Sequence, residues 1–287
     1  MLEIDGSTGG GQVVRSALAL AVIAERSVRI TDIRANRPEP GLKPQHLAVV
    51  ETLADISNAS VDGAARAAET IEFAPATPTG GRVTADIGTA GSVSLVFDAV
   101  LGLAATLDEP LAVTATGGTE VNWSPPLLGH RRVKLPFCRN FGLQAAIDRS
   151  RTGFYPAGGG RATLHLAPSS LTPLALGERG GFRGARIYSL ASMDLLDGAV
   201  ARRQAETARD ALTEAGIEVL ATETRSAAAE STGSALVIEL EYARSRASFD
   251  ALGEPGLPAD DAATSAVTDA LNFHDSSAVV DRHLADQ

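Results

Sequence analysis

Twice within its first 110 or so residues the chain runs from a short strand through a glycine-serine loop straight into an apolar helix, and few architectures accept that order. The first instance is Met1 to Ile4, the loop Asp5-Gly6-Ser7-Thr8-Gly9-Gly10-Gly11, and a helix over Gln12 to Glu25. The second, about 80 residues later, is Arg82 to Ile87, the loop Gly88-Thr89-Ala90-Gly91-Ser92, and a helix over Val93 to Thr106. Further strands are predicted over Ser27 to Ile33, Thr70 to Phe73 and Leu111 to Thr116. Helices are predicted over Gln45 to Ile56, behind Pro38, Pro40 and Pro44, and from Pro125 to about Phe141. Leu143 to Asp148 and Arg161 to Leu166, joined through the Phe154 to Gly160 turn, read as a hairpin. Successive strand-helix-strand units with strand pairs between them predict an α/β (α+β) repeat architecture.

The character changes after Gly177-Glu178-Arg179-Gly180-Gly181. Strands over Arg186 to Ala191, Glu218 to Glu223 and Leu236 to Tyr242 alternate with helices over Ala199 to Ala215 and Asp260 to Phe273. They predict a second, smaller domain over 182–273. At about 150 residues per domain, a chain of 287 has room for both. Ala278 to Gln287 reads as a helix start that stops abruptly, so the sequence is expected to be truncated there.

Composition removes whole classes of function. Apolar residues at 44% and charged ones at 21% describe a globular chain, not a disordered one. Cys138 is the only cysteine, which excludes an internal disulfide and a multi-cysteine metal site. No apolar run spans a bilayer, and the N-terminus has no basic, apolar leader, so a cytoplasmic protein with no membrane partner is expected. The net charge of −10 argues against coating nucleic acid along its length but leaves room for one local basic site.

Arg34 to His46 is such a place, with Arg34, Arg37, Lys43 and an imidazole on a proline-stiffened loop of an acidic chain. Arginine forks suit phosphate oxygens, so anion binding is favoured here over a solvated face. Each glycine loop is either a phosphate cradle at a helix N-terminus or a plain tight turn, and neither has a P-loop ending. His130, Arg131, Arg132 and Lys134 are read as a solvated helix face, and His165 as structural. The residues alone stop at a phosphate-handling α/β protein.

The strings DGSTGGGQVVRSALAL, IRANRPEPGLKPQHL, IGTAGSVSLVF, GGTEVNWSPP, GFYPAGGG, LGERG and the terminal HLADQ, in that order from residue 5 to 287, resemble the RNA 3'-terminal phosphate cyclase family, most of all its archaeal branch. The resemblance implies repeated β-α-β-α-β-β units, akin to enolpyruvylshikimate phosphate synthase, with a smaller inserted α+β domain at 182–273. The main domain would then be 1–181 together with 274–287. It further implies ATP-dependent conversion of an RNA 3'-phosphate into a 2',3'-cyclic phosphate, with ATP and a divalent metal, magnesium or manganese, as cofactors. A histidine takes AMP from ATP, AMP passes to the RNA 3'-phosphate, and the neighbouring 2'-OH displaces it.

Carried over by motif, Gln12, Arg15, Arg34, Arg37 and Gln45 are expected at the RNA phosphate. Asp98, His283, Leu284, Ala285, Asp286 and Gln287 are expected at ATP. Three departures stand out. Thr8 leads directly into Gly9-Gly10-Gly11-Gln12 where the family commonly has an acidic residue, so no metal ligand is named. Asp98 stands where a glutamine is common. The family's nucleophilic histidine is expected past Gln287, and none of the five histidines present matches it. The alternative reading is a catalytically inactive, cyclase-like RNA-binding or ribosome-assembly protein. A carboxyvinyl transferase is suggested by fold analogy alone.

Overall fold

A computed structural model of the chain describes residues 1–254 and 256–286. The first sheet is built from β1 (Leu2–Asp5), β2 (Val28–Thr31), β3 (Ser60–Asp62) and β4 (Ile71–Ala74), in the order β1-β2-β4-β3. The next four strands are β5 (Gly81–Asp86), β6 (Leu111–Gly117), β7 (Ala145–Arg151) and β8 (Gly160–Leu166), in the order β5-β6-β8-β7. The second order is the first shifted by four strands, so the repeat legible in the glycine loops is a repeat of topology. In both, the opening pair is parallel and joined through the helix that follows the glycine loop. These helices are α1 (Gly11–Ile23) and α3 (Val93–Leu101), the latter running on as a 3-10 turn over Gly102–Ala105. The second helix of the first repeat is α2 (Pro44–Ser57), with proline at the first helical position, where its missing N–H costs nothing. Leu18, Val22, Ile30, Val49, Leu53, Ile71, Phe73, Val96, Phe97 and Val113 are buried, and α1 packs on α2 and α3.

The third sheet has β9 (Phe182–Ser192), β10 (Val219–Ala227), β11 (Ser234–Tyr242) and β12 (Arg246–Gly253), in the order β10-β9-β11-β12. Helices α6 (Val200–Glu214) and α7 (Ala259–Asp275) supply Ala205, Ala208, Leu212, Ala263, Ala266, Val267 and Phe273 to a core shared with Ile187, Leu236, Ile238 and Leu240. Short helices α4 (Leu127–Gly129) and α5 (Leu135–Arg139) flank a π-helical stretch, His130–Lys134, and α8 is Arg282–Asp286.

By internal contacts the chain forms two compact units. Unit 1 is Met1–Gly117, Gly142–Ser150 and Arg161–Leu171, and unit 2 is Gly118–Phe141, Arg151–Gly160 and Thr172–Gln287. Within unit 2, Leu128, Val133 and Phe154 join Tyr188, Leu190, Ala235 and Val237 in one apolar cluster. The stretch read as a solvated face is drawn into it. His130 is 1% exposed, and Arg132 pairs with Glu223 while lying 4.8 Å over the Tyr188 ring. Among the described residues no helix is long and apolar enough to cross a membrane.

Candidate phosphate and nucleotide site

Unit 1 gathers the first set of expected residues around the N-termini of α1, α2 and α3. The glycine loop is tied to the basic loop by two hydrogen bonds: Arg34 N donates to Gly6 O at 3.1 Å, and Asn36 Nδ2 to Ser7 O at 3.0 Å. Arg34 has φ 56°, a left-handed conformation, and its Nη1 donates to the carbonyls of Glu39 and Gly41, each at 2.8 Å. Part of the guanidinium therefore holds the loop closed. Arg37 is exposed, and a Cβ built on Gly10 would lie 3.4 Å from its Nη2, so its guanidinium sits over the start of α1. Lys43 is paired with Glu39.

Arg15 lies one turn into α1, 8% exposed, and hydrogen bonds Gln12 Oε1. Gln12 Nε2 in turn donates to Ser16 Oγ at 3.1 Å. Burial pulls the Arg15 pKa down and the charge of Asp98, on α3, pushes it back up. Asp98, expected at the nucleotide, thus also steadies a buried cation. Arg15 Nε is buried without a hydrogen-bond partner, and so is Gln45 Nε2. Gln45 Oε1 accepts from Ser92 N at 3.4 Å, which links the start of α2 to the second glycine loop. Ser92 Oγ in turn caps α3 by accepting from Leu95 N at 3.4 Å.

His46, the imidazole of the basic segment, was given no role of its own among the residues carried over by motif. Its Nδ1 accepts from Lys43 N at 3.1 Å, the reciprocal half of a capping box, and its ring lies against Gly11. Burial, then Arg34, Arg15 and Lys43, push its pKa down to about 4. Its place at the third position of a helix begun by Pro44 was the signal that could have found it.

Residues expected at the nucleotide fall in both units. Asp98 is in unit 1; His283, Leu284 and Ala285 lie on α8, in unit 2. Asp281, 2% exposed, anchors this helix: its Oδ1 accepts from Leu284 N at 3.0 Å and its Oδ2 from Ser248 N at 2.8 Å. His283 Nε2 lies 2.7 Å from Asp250 Oδ1. Asp286 ends α8, and Gln287 lies outside the described residues.

Two further motifs meet in unit 2. Thr119 N and Glu120 N both donate to Gly153 O, at 2.8 and 3.1 Å, and Gly153 N donates to Thr119 Oγ1 at 3.0 Å. Gly160 must be glycine, since a Cβ would fall 2.6 Å from Gly153 N. A cavity of about 560 Å³ opens beside this clasp, between Asn122, Tyr155, Thr232 and Glu254. Arg179, from the LGERG string, donates to the carbonyls of Phe273, His274 and Ser276 at 2.6–2.8 Å and lies 4.7 Å over the Tyr242 ring. It is the C-terminal cap of α7.

Among the described residues no group of three or more His, Cys, Asp or Glu stands together to hold a metal ion. Asp5, the carboxylate of the glycine loop, accepts from Ser7 N at 2.8 Å. These residues do not fit a divalent metal held by protein ligands.

Comparison with known proteins agrees with this arrangement of motifs. Residues 7–287 match the family described as RNA 3'-terminal phosphate cyclase. A protein named RNA 3'-terminal phosphate cyclase from Halobacterium salinarum is 43% identical over 298 aligned positions, which cover 100% of this chain and 86% of that relative. Proteins of the same name from Methanosarcina barkeri and Archaeoglobus fulgidus are 39% and 38% identical over 290 positions, with 100% of this chain and 85% of each relative covered. From the glycine loop to the last described helix, the chain belongs to the RNA 3'-terminal phosphate cyclase family.

Proposed function

We propose that this protein closes RNA 3'-phosphate ends into 2',3'-cyclic phosphates at the expense of ATP. The observation that carries the reading is the cation cluster of unit 1. Arg15, Arg34 and Arg37 stand at the start of α1, where the helix dipole also favours an anion, in a chain whose net charge is −10. A protein that only docked on RNA through its surface would have no use for a buried arginine whose Nε lacks a partner.

In this reading Arg37, which is exposed, meets the terminal phosphate first, while Arg15 and Gln45 complete its coordination from within. Neutralising the phosphate oxygens makes the phosphorus a better electrophile and holds the end in register for attack. The chemistry proceeds in three displacements. A histidine attacks the α-phosphorus of ATP and diphosphate leaves. A 3'-phosphate oxygen then takes AMP from that histidine. The 2'-OH finally attacks the activated phosphorus, loses its proton and expels AMP. The accepting histidine is assigned to none of His46, His130, His165, His274 and His283. The α8 segment, His283 to Asp286 with Gln287, and Asp98 are proposed to bind ATP. A divalent cation, magnesium or manganese, is proposed as a partner of the nucleotide phosphates. The sheet β10-β9-β11-β12 with α6 and α7 is proposed as the inserted domain, 182–273, of a cytoplasmic RNA-processing enzyme.

The test is direct. Protein expressed from its full reading frame is incubated with ATP and an RNA oligonucleotide carrying a labelled 3'-phosphate. The label should become resistant to phosphatase only when ATP is present. Tight RNA binding with no conversion would favour the inactive, assembly-protein reading instead.

A further inference from the structure

His46 is the third residue of α2 and is 8% exposed. Its Nδ1 lies 3.1 Å from Lys43 N. A backbone N–H can only donate, so Nδ1 is the unprotonated nitrogen and the neutral ring carries its proton on Nε2. Nε2 is aimed at the first turn of α1, since a Cβ built on Gly11 would fall 2.0 Å from it. Among the described residues the ring's one hydrogen bond is at Nδ1, and Nε2 does not belong to the buried atoms that lack a partner. It is a donor open to solvent, and so to a ligand oxygen arriving at the first turn of α1. Two more donors converge on the same place. Arg15 Nε is buried and unpartnered, and α1 starts behind the N-cap Gly10 with no side-chain cap over its first amides.

The charges facing the ring keep it neutral. Arg34, Arg15 and Lys43 all oppose a proton on it, Arg37 stands beside Gly10, and the two nearby carboxylates are engaged elsewhere, Asp98 with Arg15 and Glu39 with Lys43. A donor that carries no charge adds direction to a site already rich in charge.

We infer that His46 is a phosphate ligand, donating a neutral Nε2–H to an oxygen of a phosphate group seated on the first turn of α1. The inference rests on the phosphate-binding reading of unit 1 and adds to it a residue, an atom and a protonation state. The phosphate could be the RNA 3' end or part of the nucleotide, and the binding arms separate the two.

The 287-residue chain and its His46→Leu and His46→Gln variants are titrated with a labelled RNA ending in 3'-phosphate, the same RNA ending in 3'-hydroxyl, and ATP. Leucine removes the donor; glutamine restores an amide N–H near the Nε2 position. His46→Leu should bind either phosphate-ended RNA or ATP about 10-fold more weakly or worse, leave hydroxyl-ended RNA unchanged, and be largely rescued by His46→Gln. Whichever phosphate ligand is lost identifies the source. Unchanged affinity for both overturns the inference. A wild-type chain that neither prefers the phosphate end nor binds ATP would instead remove the underlying reading. Should His46→Leu fail to fold, the wild-type ring decides: nitrogen NMR should find a neutral, Nε2-protonated imidazole down to about pH 5. A doubly protonated ring at pH 6 overturns the inference.

Discussion

Acidification should cost this protein stability through one buried imidazole. The pKa of His46 is pushed from the ordinary 6.5 to about 4 in the folded state, first by burial and then by Arg34, Arg15 and Lys43. Between those values the unfolded chain binds a proton that the folded chain refuses, so stability falls as pH drops from about 6.5 toward 4. The gap of about 2.5 pKa units corresponds to a limit of roughly 3 kcal/mol, and at pH 5 the share already lost is about 2 kcal/mol. Other groups titrate too, so the readout is a difference. Urea unfolding is followed by far-ultraviolet circular dichroism at about pH 7.5 and 5 for wild type and His46→Gln. Wild type should lose about 2 kcal/mol more than the variant on acidification. Equal losses would show that His46 is not held neutral by its surroundings, and the electrostatic account of the cluster would fail.

Three further outcomes are expected. Arg37→Ala should weaken binding of phosphate-ended RNA by roughly 10-fold with unfolding midpoints unchanged, because the side chain is exposed; parallel loss of stability would make it a structural residue. Arg179→Ala removes the cap of α7 and its contact with the Tyr242 ring, and should lower stability by about 2–4 kcal/mol in denaturant titrations without touching phosphate affinity. Gly11→Ala drives a methyl group into His46 and should cost about 1–3 kcal/mol while weakening phosphate binding; a variant that matches wild type in both would contradict the close approach of α1 and α2.

Much of the fold was legible because glycine loops and apolar periodicity are local signals. The two loop-helix units announced a repeated strand-helix-strand architecture, and the matching strand orders bear that out. What escaped were elements whose identity is set by partners. Ser60–Asp62 is three residues long, and Arg246–Gly253 is an edge strand of mostly half-buried residues with no clean alternation. The helical run from Pro125 was foreseen, yet its company was not: Leu128 and Val133 pack with Tyr188 and Val237, residues far along the chain. The site shows the same limit. Arginines in a proline-rich loop suggest phosphate, but that Arg34 spends Nη1 on two carbonyls is invisible in side-chain chemistry. The His46 imidazole was visible in the basic segment, but its particular place was not, since that depends on a backbone N–H three residues earlier and a glycine on another helix.

The account's central claim is that the unit 1 cluster receives an RNA 3'-phosphate for cyclisation. The most direct measurement is the fate of a labelled 3'-phosphate on RNA incubated with the full-reading-frame protein, with and without ATP. ATP-dependent conversion to a phosphatase-resistant 2',3'-cyclic end, lost in Arg15→Ala, is the predicted result. A 3'-phosphate that stays open to phosphatase, with ATP present and the protein folded, would contradict it.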